Sequence, residues 1–245
     1  MRRFRCHSAA VLSTCVGLTA CFGPPSGPTP KPTPMESAKP KPPPPPPPPG
    51  QRIKPTFSAS STAIPDDLRA KMTGVTWREG CPVHLDQLSL ITVSHWDFDG
   101  KAQTGHLIAA STHAPGLEKV FEKLFEAGFP IAQMRPAHEH DGSDDKSMAA
   151  NNTSAFNCRK KTGGSSYSEH SYGHAIDINP IQNPYVKGVR VLPPEGKPHV
   201  DRNADTPGLI MAGDPVVTAF AEIGWKWGGN WRSLKDYQHF SATGK

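Results

Sequence analysis

Eight consecutive prolines at 42–49 set the first limit on what this chain can fold into. They lie in a stretch, 22–56, that holds sixteen of the protein's twenty-eight prolines. Proline fixes φ and has no N–H to give to a helix or a sheet. Such a tract runs as extended polyproline II, about 3.1 Å per residue, and buries no core. The 245 residues therefore divide into 1–21, a proline-rich linker at 22–57 and a candidate globular domain at 58–245. The last is long enough for one hydrophobic core.

The formal net charge of +5 is misleading. Residues 1–54 carry eight Lys/Arg against one Glu, whereas the rest carries nineteen Lys/Arg against twenty-one Asp/Glu. The basic excess belongs to the tail, so the globular part has no footprint for nucleic acid. The tail itself begins MRRFR, followed by a mildly apolar run at 9–20 that is too short to span a bilayer as a helix. The run ends Leu18-Thr19-Ala20-Cys21, which resembles the cleavage box of bacterial lipoproteins. The resemblance implies that Cys21 becomes the lipidated first residue of a protein held outside the cytoplasm at the cell envelope. Each acyl CH2 buried in a membrane contributes about 0.8 kcal/mol to anchoring. The proline tract then serves as a stiff spacer between anchor and domain. With Cys6 and Cys15 in the signal and Cys21 acylated, Cys81 and Cys158 remain, and in an oxidising compartment they are expected to form a disulfide.

Within the domain, 64–72 has the pattern of a short helix. Residues 88–98 and 104–111, separated by a turn at Gly100, read as a hairpin. Leu117, Val120, Phe121, Leu124 and Phe125 repeat at helical spacing and Gly128 is a stop, so 114–127 is a helix. Residues 129–134 read as a buried strand ending in Arg135, and the polar stretch 138–159 as a long loop. Asp214 is an N-cap and Pro215 the first turn of a helix to Ile223. The order predicts an α+β domain on a mostly antiparallel sheet with flanking helices.

The most informative stretch is SEHSYGHAIDINP, 168–180. After the break at Gly173, AIDIN alternates, which sends Ile176 and Ile178 to the core and Ala175, Asp177 and Asn179 towards a cleft. Near the C-terminus, KDYQHF places Asp236 three residues before His239. Ser168, His170, Gly173, Ala175 and Asp177 match the pattern Ser-x-His-x-x-Gly-x-Ala-x-Asp. With the later Asp-x-x-His, the chain from 121 to 241 resembles the zinc peptidase family of D-Ala-D-Ala carboxypeptidases and L-Ala-D-Glu endopeptidases, which cut peptide stems of the bacterial cell wall. That resemblance implies the fold shared with hedgehog signalling domains, Zn2+ as cofactor, and a monomer acting on peptidoglycan peptides.

It also implies roles. His170, Asp177 and His239 would be the metal ligands, leaving a position for water. Asp236 would be the general base. Many members have glutamate at this position, and aspartate resembles the L-Ala-D-Glu branch. Arg135 matches the arginine that stabilises the developing oxyanion, with Arg159 as its competitor. Ser168 would hydrogen-bond substrate, and Trp227, Trp231 and Tyr237 would wall the cleft or fill the core. His174, four after His170, is not at a ligand position. HEHDGSDD at 138–145 lacks the spacing of a calcium loop and reads as solvated.

Two other classes compete. Asn157-Cys158-Arg159 faintly resembles the Cys-Arg pair of L,D-transpeptidases, although Asn157 stands where glycine is expected. A wall-binding module without catalysis is the other. Loss of activity to a chelator, to a thiol alkylator, or to neither separates the three. The anchor has its own test: Cys21→Ser should move the protein from the membrane fraction to the soluble fraction, and wild-type levels of membrane association in the variant would refute lipidation.

Overall fold

A computed structural model describes residues 55–161, 164–202 and 205–245. The expected signal segment, Cys21 and nearly all of the proline tract lie outside the described residues. All described elements belong to the second of two units, Arg52–Lys245. Phe57, the last residue before the expected boundary, packs on the core with its ring 5.7 Å from that of Phe125.

Strand β1 (Ala59–Ala63) pairs antiparallel with β2 (Leu88–Trp96), and β2 pairs with β3 (Ala102–Ala110) from Leu88↔Ala110 to Trp96↔Ala102. The turn between β2 and β3 is held by Asp97, whose Oδ1 accepts from the backbone N–H groups of Asp99 (2.9 Å) and Lys101 (2.8 Å). Apolar residues in β2 fall at both parities, so both faces of the hairpin are covered. On one face, α1 (Asp66–Met72) contributes Leu68 and Met72 to a cluster with Leu88, Ile108 and Phe156. On the other, α2 (Ala114–Glu126) lays Leu117, Val120, Phe121 and Leu124 against Ile91, Val93 and Leu107. Helix α2 stops at Gly128, where φ is +68°, as the sequence pattern expects.

Two expectations need correction. The stretch 129–134 is not a continuous strand. Only β4 (Gln133–Met134) pairs, in parallel with β5 (Asn152–Thr153), while Pro130 makes a single bridge to Trp96 and has no N–H to extend a ladder. Nor is 138–159 a structureless loop. It contains a 3-10 turn at Ala137–His140, helix α3 (Asp144–Ala149) and β5. Ser143 caps α3 by accepting from the Lys146 N–H (3.3 Å), and Asp144 and Asp145 favour its positive end.

The remaining strands are short: β6 (Ala175–Asp177), β7 (Tyr185–Lys187), β8 (Arg190–Leu192), β9 (Lys226–Trp227), β10 (Lys235–Asp236) and β11 (His239–Ser241). They form two antiparallel sheets, ordered β6-β11-β9 and β10-β7-β8. The expected single sheet is thus several small ones, in a mixed α and β domain. Helix α4 (Pro215–Glu222) starts at Pro215 as expected, but the Asp214 carboxylate accepts from the Met211 N–H (2.6 Å) instead of capping it. Ile176, Ile178, Phe220 and Phe240 are fully buried and join the second half of the chain to the α2 core. Among the described residues, no helix is long and apolar enough to cross a membrane.

Cys81 and Cys158 are bonded, with Cα atoms 6.0 Å apart across 77 residues of sequence. A cross-link over a loop of that length stabilises mainly by restricting the unfolded chain, by about 4 kcal/mol. The Cys81→Ser/Cys158→Ser double variant should lose about 3–4 kcal/mol in denaturant unfolding. A loss below about 1 kcal/mol would contradict a structural role for the bridge.

Candidate active site

Residues 168–177 fold so that two side chains converge. Ser168 Oγ accepts from the His170 N–H (3.4 Å) at the start of a 3-10 turn, Glu169–Tyr172. Gly173 ends that turn with φ +67°, and its carbonyl accepts from the Ala110 N–H (3.0 Å) at the end of β3. A Cβ there would lie 2.4 Å from the Ala110 nitrogen, so backbone meets backbone and only glycine fits. Strand β6 follows at once. It is held on one side by β11, and on the other by Ser154 through two backbone hydrogen bonds with Asp177 (2.9 and 3.0 Å).

The antiparallel register sets His239 directly opposite Asp177, sixty-two residues away in sequence. His239 Nδ1 lies 2.9 Å from Asp177 Oδ1, and His170 Nε2 lies 3.2 Å from Asp177 Oδ2. The other ring nitrogens are occupied. His170 Nδ1 donates to the Ala155 carbonyl (2.5 Å), and His239 Nε2 donates to the Lys245 carbonyl (3.1 Å). With those protons fixed, each imidazole turns a lone pair towards the carboxylate. Two ring nitrogens and two carboxylate oxygens therefore face one another in a buried site. One donor atom from each residue lies within 4.8 Å of the others, an arrangement that could hold a metal ion.

The electrostatics agree. Burial pushes the Asp177 carboxyl upward, but His170 and His239 outweigh it and hold it well below the usual carboxylate range. Burial pushes His239 downward, but its hydrogen bond to Asp177 and the charges of Asp177 and Asp236 raise it. Asp236, on β10, is pushed up to about 6, first by burial and then by the negative charge of Asp177. Gln238 Nε2 donates to Asp236 Oδ1 (3.3 Å). Gly228 backs this strand closely, since a Cβ on it would lie 2.6 Å from the Asp236 carbonyl oxygen.

His170, Asp177, His239, Asp236 and Ser168 line one cleft of about 400 Å³. Asn179 does not reach it. It is fully buried, with Nδ2 donating to the Pro130 carbonyl (2.8 Å) and Oδ1 accepting from the Ala132 N–H (3.0 Å). Arg135 is not brought there either. It is exposed, pairs with Glu139 (3.2 Å), and borders a separate hollow beside His95 and Asp97. Arg159 lines the cleft in its stead, ion-paired with Asp144. Trp227 and Tyr237 also fall elsewhere. The buried Trp227 indole donates to the Tyr237 carbonyl (2.7 Å), and the Tyr237 ring lies 4.3 Å beneath the Arg202 guanidinium. Of the three aromatics, Trp231 is the one in the cleft, its ring centre 5.3 Å from that of His239. The His174 ring meets His113 edge-on and stacks on Tyr172, and it does not line the cleft. Cys158 is buried in its disulfide and has no thiolate to offer, which removes the transpeptidase reading.

Sequence reasoning missed Asp144, Tyr185 and Lys187 as lining residues. The signal that could have found Asp144 is Ser143 followed by two aspartates, the N-cap and acidic first turn of the helix that carries it. Nothing local announced the other two, whose position depends on β7 pairing with β10.

Residues 162–242, about a third of the chain, match the model of a D-alanyl-D-alanine carboxypeptidase family. The matched stretch contains Ser168, His170, Asp177, Asp236 and His239, and excludes Arg135 and Arg159. No curated protein and no solved structure matches the chain.

The close approach at Gly173 has a measurable cost. Gly188 also has positive φ (+57°) but nothing near its missing Cβ, so it isolates the backbone term. Gly188→Ala should cost about 1 kcal/mol and Gly173→Ala at least about 3 kcal/mol in denaturant unfolding. Equal losses would show that the turn is not pressed on β3.

Proposed function

We propose that this chain is a zinc-dependent peptidase that hydrolyses peptide bonds in peptidoglycan stem peptides, held at the cell envelope by lipid on Cys21. The bond cut would be L-Ala-D-Glu or D-Ala-D-Ala, and the aspartate at position 236 favours the former by its resemblance to that branch. The observation that carries the reading is the buried convergence of His170, Asp177 and His239 with a second carboxylate, Asp236, in the same cleft. The family match over 162–242 supports it.

His170 Nε2, His239 Nδ1 and the Asp177 carboxylate would hold the metal. When bound there, zinc supplies Lewis acidity that polarises a carbonyl and makes water a nucleophile near neutral pH. The protein supplies the rest. Ala155 and Lys245 fix both imidazoles through their carbonyls, so the ligating nitrogens are set before the ion arrives. Asp236 takes the proton of the attacking water and returns it to the leaving amine. Arg159, braced by Asp144, stabilises the negative charge that develops on the carbonyl oxygen. Among the described residues Ser168 Oγ accepts only from backbone, which leaves its O–H for a substrate carbonyl. Trp231 walls the cleft beside His239.

The division of labour is testable on one set of preparations. Alanine at His170, Asp177 or His239 should abolish both bound zinc and peptidase activity. Asp236→Asn should keep about one zinc per chain yet lower kcat by about 10²–10⁴-fold. Zinc loss in Asp236→Asn would make Asp236 a ligand, and full activity would leave it a bystander. Arg159→Ala should lower kcat by about 10²-fold, and Arg135→Ala should leave it within about twofold.

A further inference from the structure

We infer that Gln238 is a positioning residue for the candidate base: its side-chain amide holds one oxygen of the Asp236 carboxylate and leaves the other to take the proton of the attacking water. The inference rests on the peptidase reading and deepens the account of that same site. The motif Asp-x-x-His leaves position 238 open, so the resemblance gives this side chain no role. Asp236 needs a partner. Its strand, β10, is two residues long, and its carboxylate has no ion-pair partner among the described residues. The terminal torsion of an aspartate is broad and roughly two-fold, so a carboxylate without a donor is free to turn. Gln238 supplies the one hydrogen bond that this carboxylate receives from the described residues, Nε2 to Oδ1 at 3.3 Å. Oδ2 receives none from them and is the oxygen left to accept a proton.

Gln238 is itself held. It lies in the short connection from β10 to β11, where the Tyr237 N–H donates to the Pro184 carbonyl (3.3 Å) and the Gln238 carbonyl accepts from the Ile178 N–H (3.0 Å). The backbone that carries the amide is thus fastened just before β7 and just after β6. The side chain is 2 % exposed and forms part of the cleft wall. Its Nε2 also faces Met148 Sδ (3.6 Å), on the far side of the cleft in sequence but adjacent in space. Its Oε1 is buried and has no hydrogen-bond partner among the described residues. A buried acceptor without a donor costs stability, and methionine would fill nearly the same space without that cost. What glutamine adds over methionine at this position is the N–H given to Asp236. Turning the amide over would satisfy nothing at Asp236, because it would set oxygen against carboxylate oxygen. The orphaned Oε1 is therefore the consequence of aiming the donor at Asp236.

The test is a double-mutant cycle on the zinc-loaded full chain, with a peptidoglycan stem peptide as substrate. Gln238→Met should keep its zinc, lower kcat by roughly 10-fold and leave KM within about twofold. In the Asp236→Asn background the same substitution should change kcat by less than about twofold, because there is no base left to position. A side chain that merely fills the core would cost the same in both backgrounds. Equal losses in the two backgrounds, loss of zinc from Gln238→Met, or a Gln238→Met kcat equal to that of the wild type would overturn the inference. Should Gln238→Met not fold, Gln238→Leu takes its place in every arm. If the wild type cleaves no stem peptide, the peptidase reading fails by itself, and crystals of the metal-free protein decide Gln238 separately. An Asp236 carboxylate that is bonded to Gln238 in the wild type and turned away in Gln238→Met supports the positioning role, and one that keeps its orientation in the variant refutes it.

Discussion

The cleft depends on one antiparallel pairing, that of β11 with β6. Only three residue pairs long, it sets His239 opposite Asp177 and Phe240 opposite Ile176. Side chains alternate across a strand, so a slip of one residue would turn His239 into the core and Phe240 into the cleft. The apolar side of the pairing prevents this. Ile176 and Phe240 are fully buried, and Phe240 stacks on Phe220 with ring centres 4.1 Å apart. The same packing that stabilises the fold thus fixes the register of the site, and the polar side of both strands follows without choice.

What was legible in the sequence was local or carried by a resemblance. Helix α2 and the β2–β3 hairpin announced themselves because each buries a face whose period is written in consecutive residues. His170, Asp177 and His239 converge as their motif implied. Arg135 was misread because its buried-strand prelude is interrupted at Pro130, and the chain then leaves in another direction. Trp227 and Tyr237 could be read either way because tryptophan and tyrosine serve core and cleft equally well. Their destinations are set by Gly228 and Gly229, which let this segment fold tightly over Asp236 and the Trp227 ring. Arg202 gave no signal at all, yet its guanidinium ties Gln182, Asn183 and Ile210 together.

The site shows how buried charge is tolerated. An aspartate and two histidines out of water would be costly if left unmatched. Here the outer nitrogen of each imidazole is satisfied by a backbone carbonyl, and all remaining demand points inward. Such a centre could hold a metal ion. Asp236, raised first by burial and then by the charge of Asp177, shares that electrostatic field and lies outside the group of three that could hold a metal ion.

The central claim is that this convergence is a metal centre. Anomalous diffraction at the zinc edge, on crystals of the zinc-loaded protein, tests it most directly. A single strong peak should lie among His170 Nε2, His239 Nδ1 and the Asp177 carboxylate, with Asp236 nearby but uncoordinated. A peak at any other place, or none while Asp177 still bridges the two imidazoles, would contradict the account.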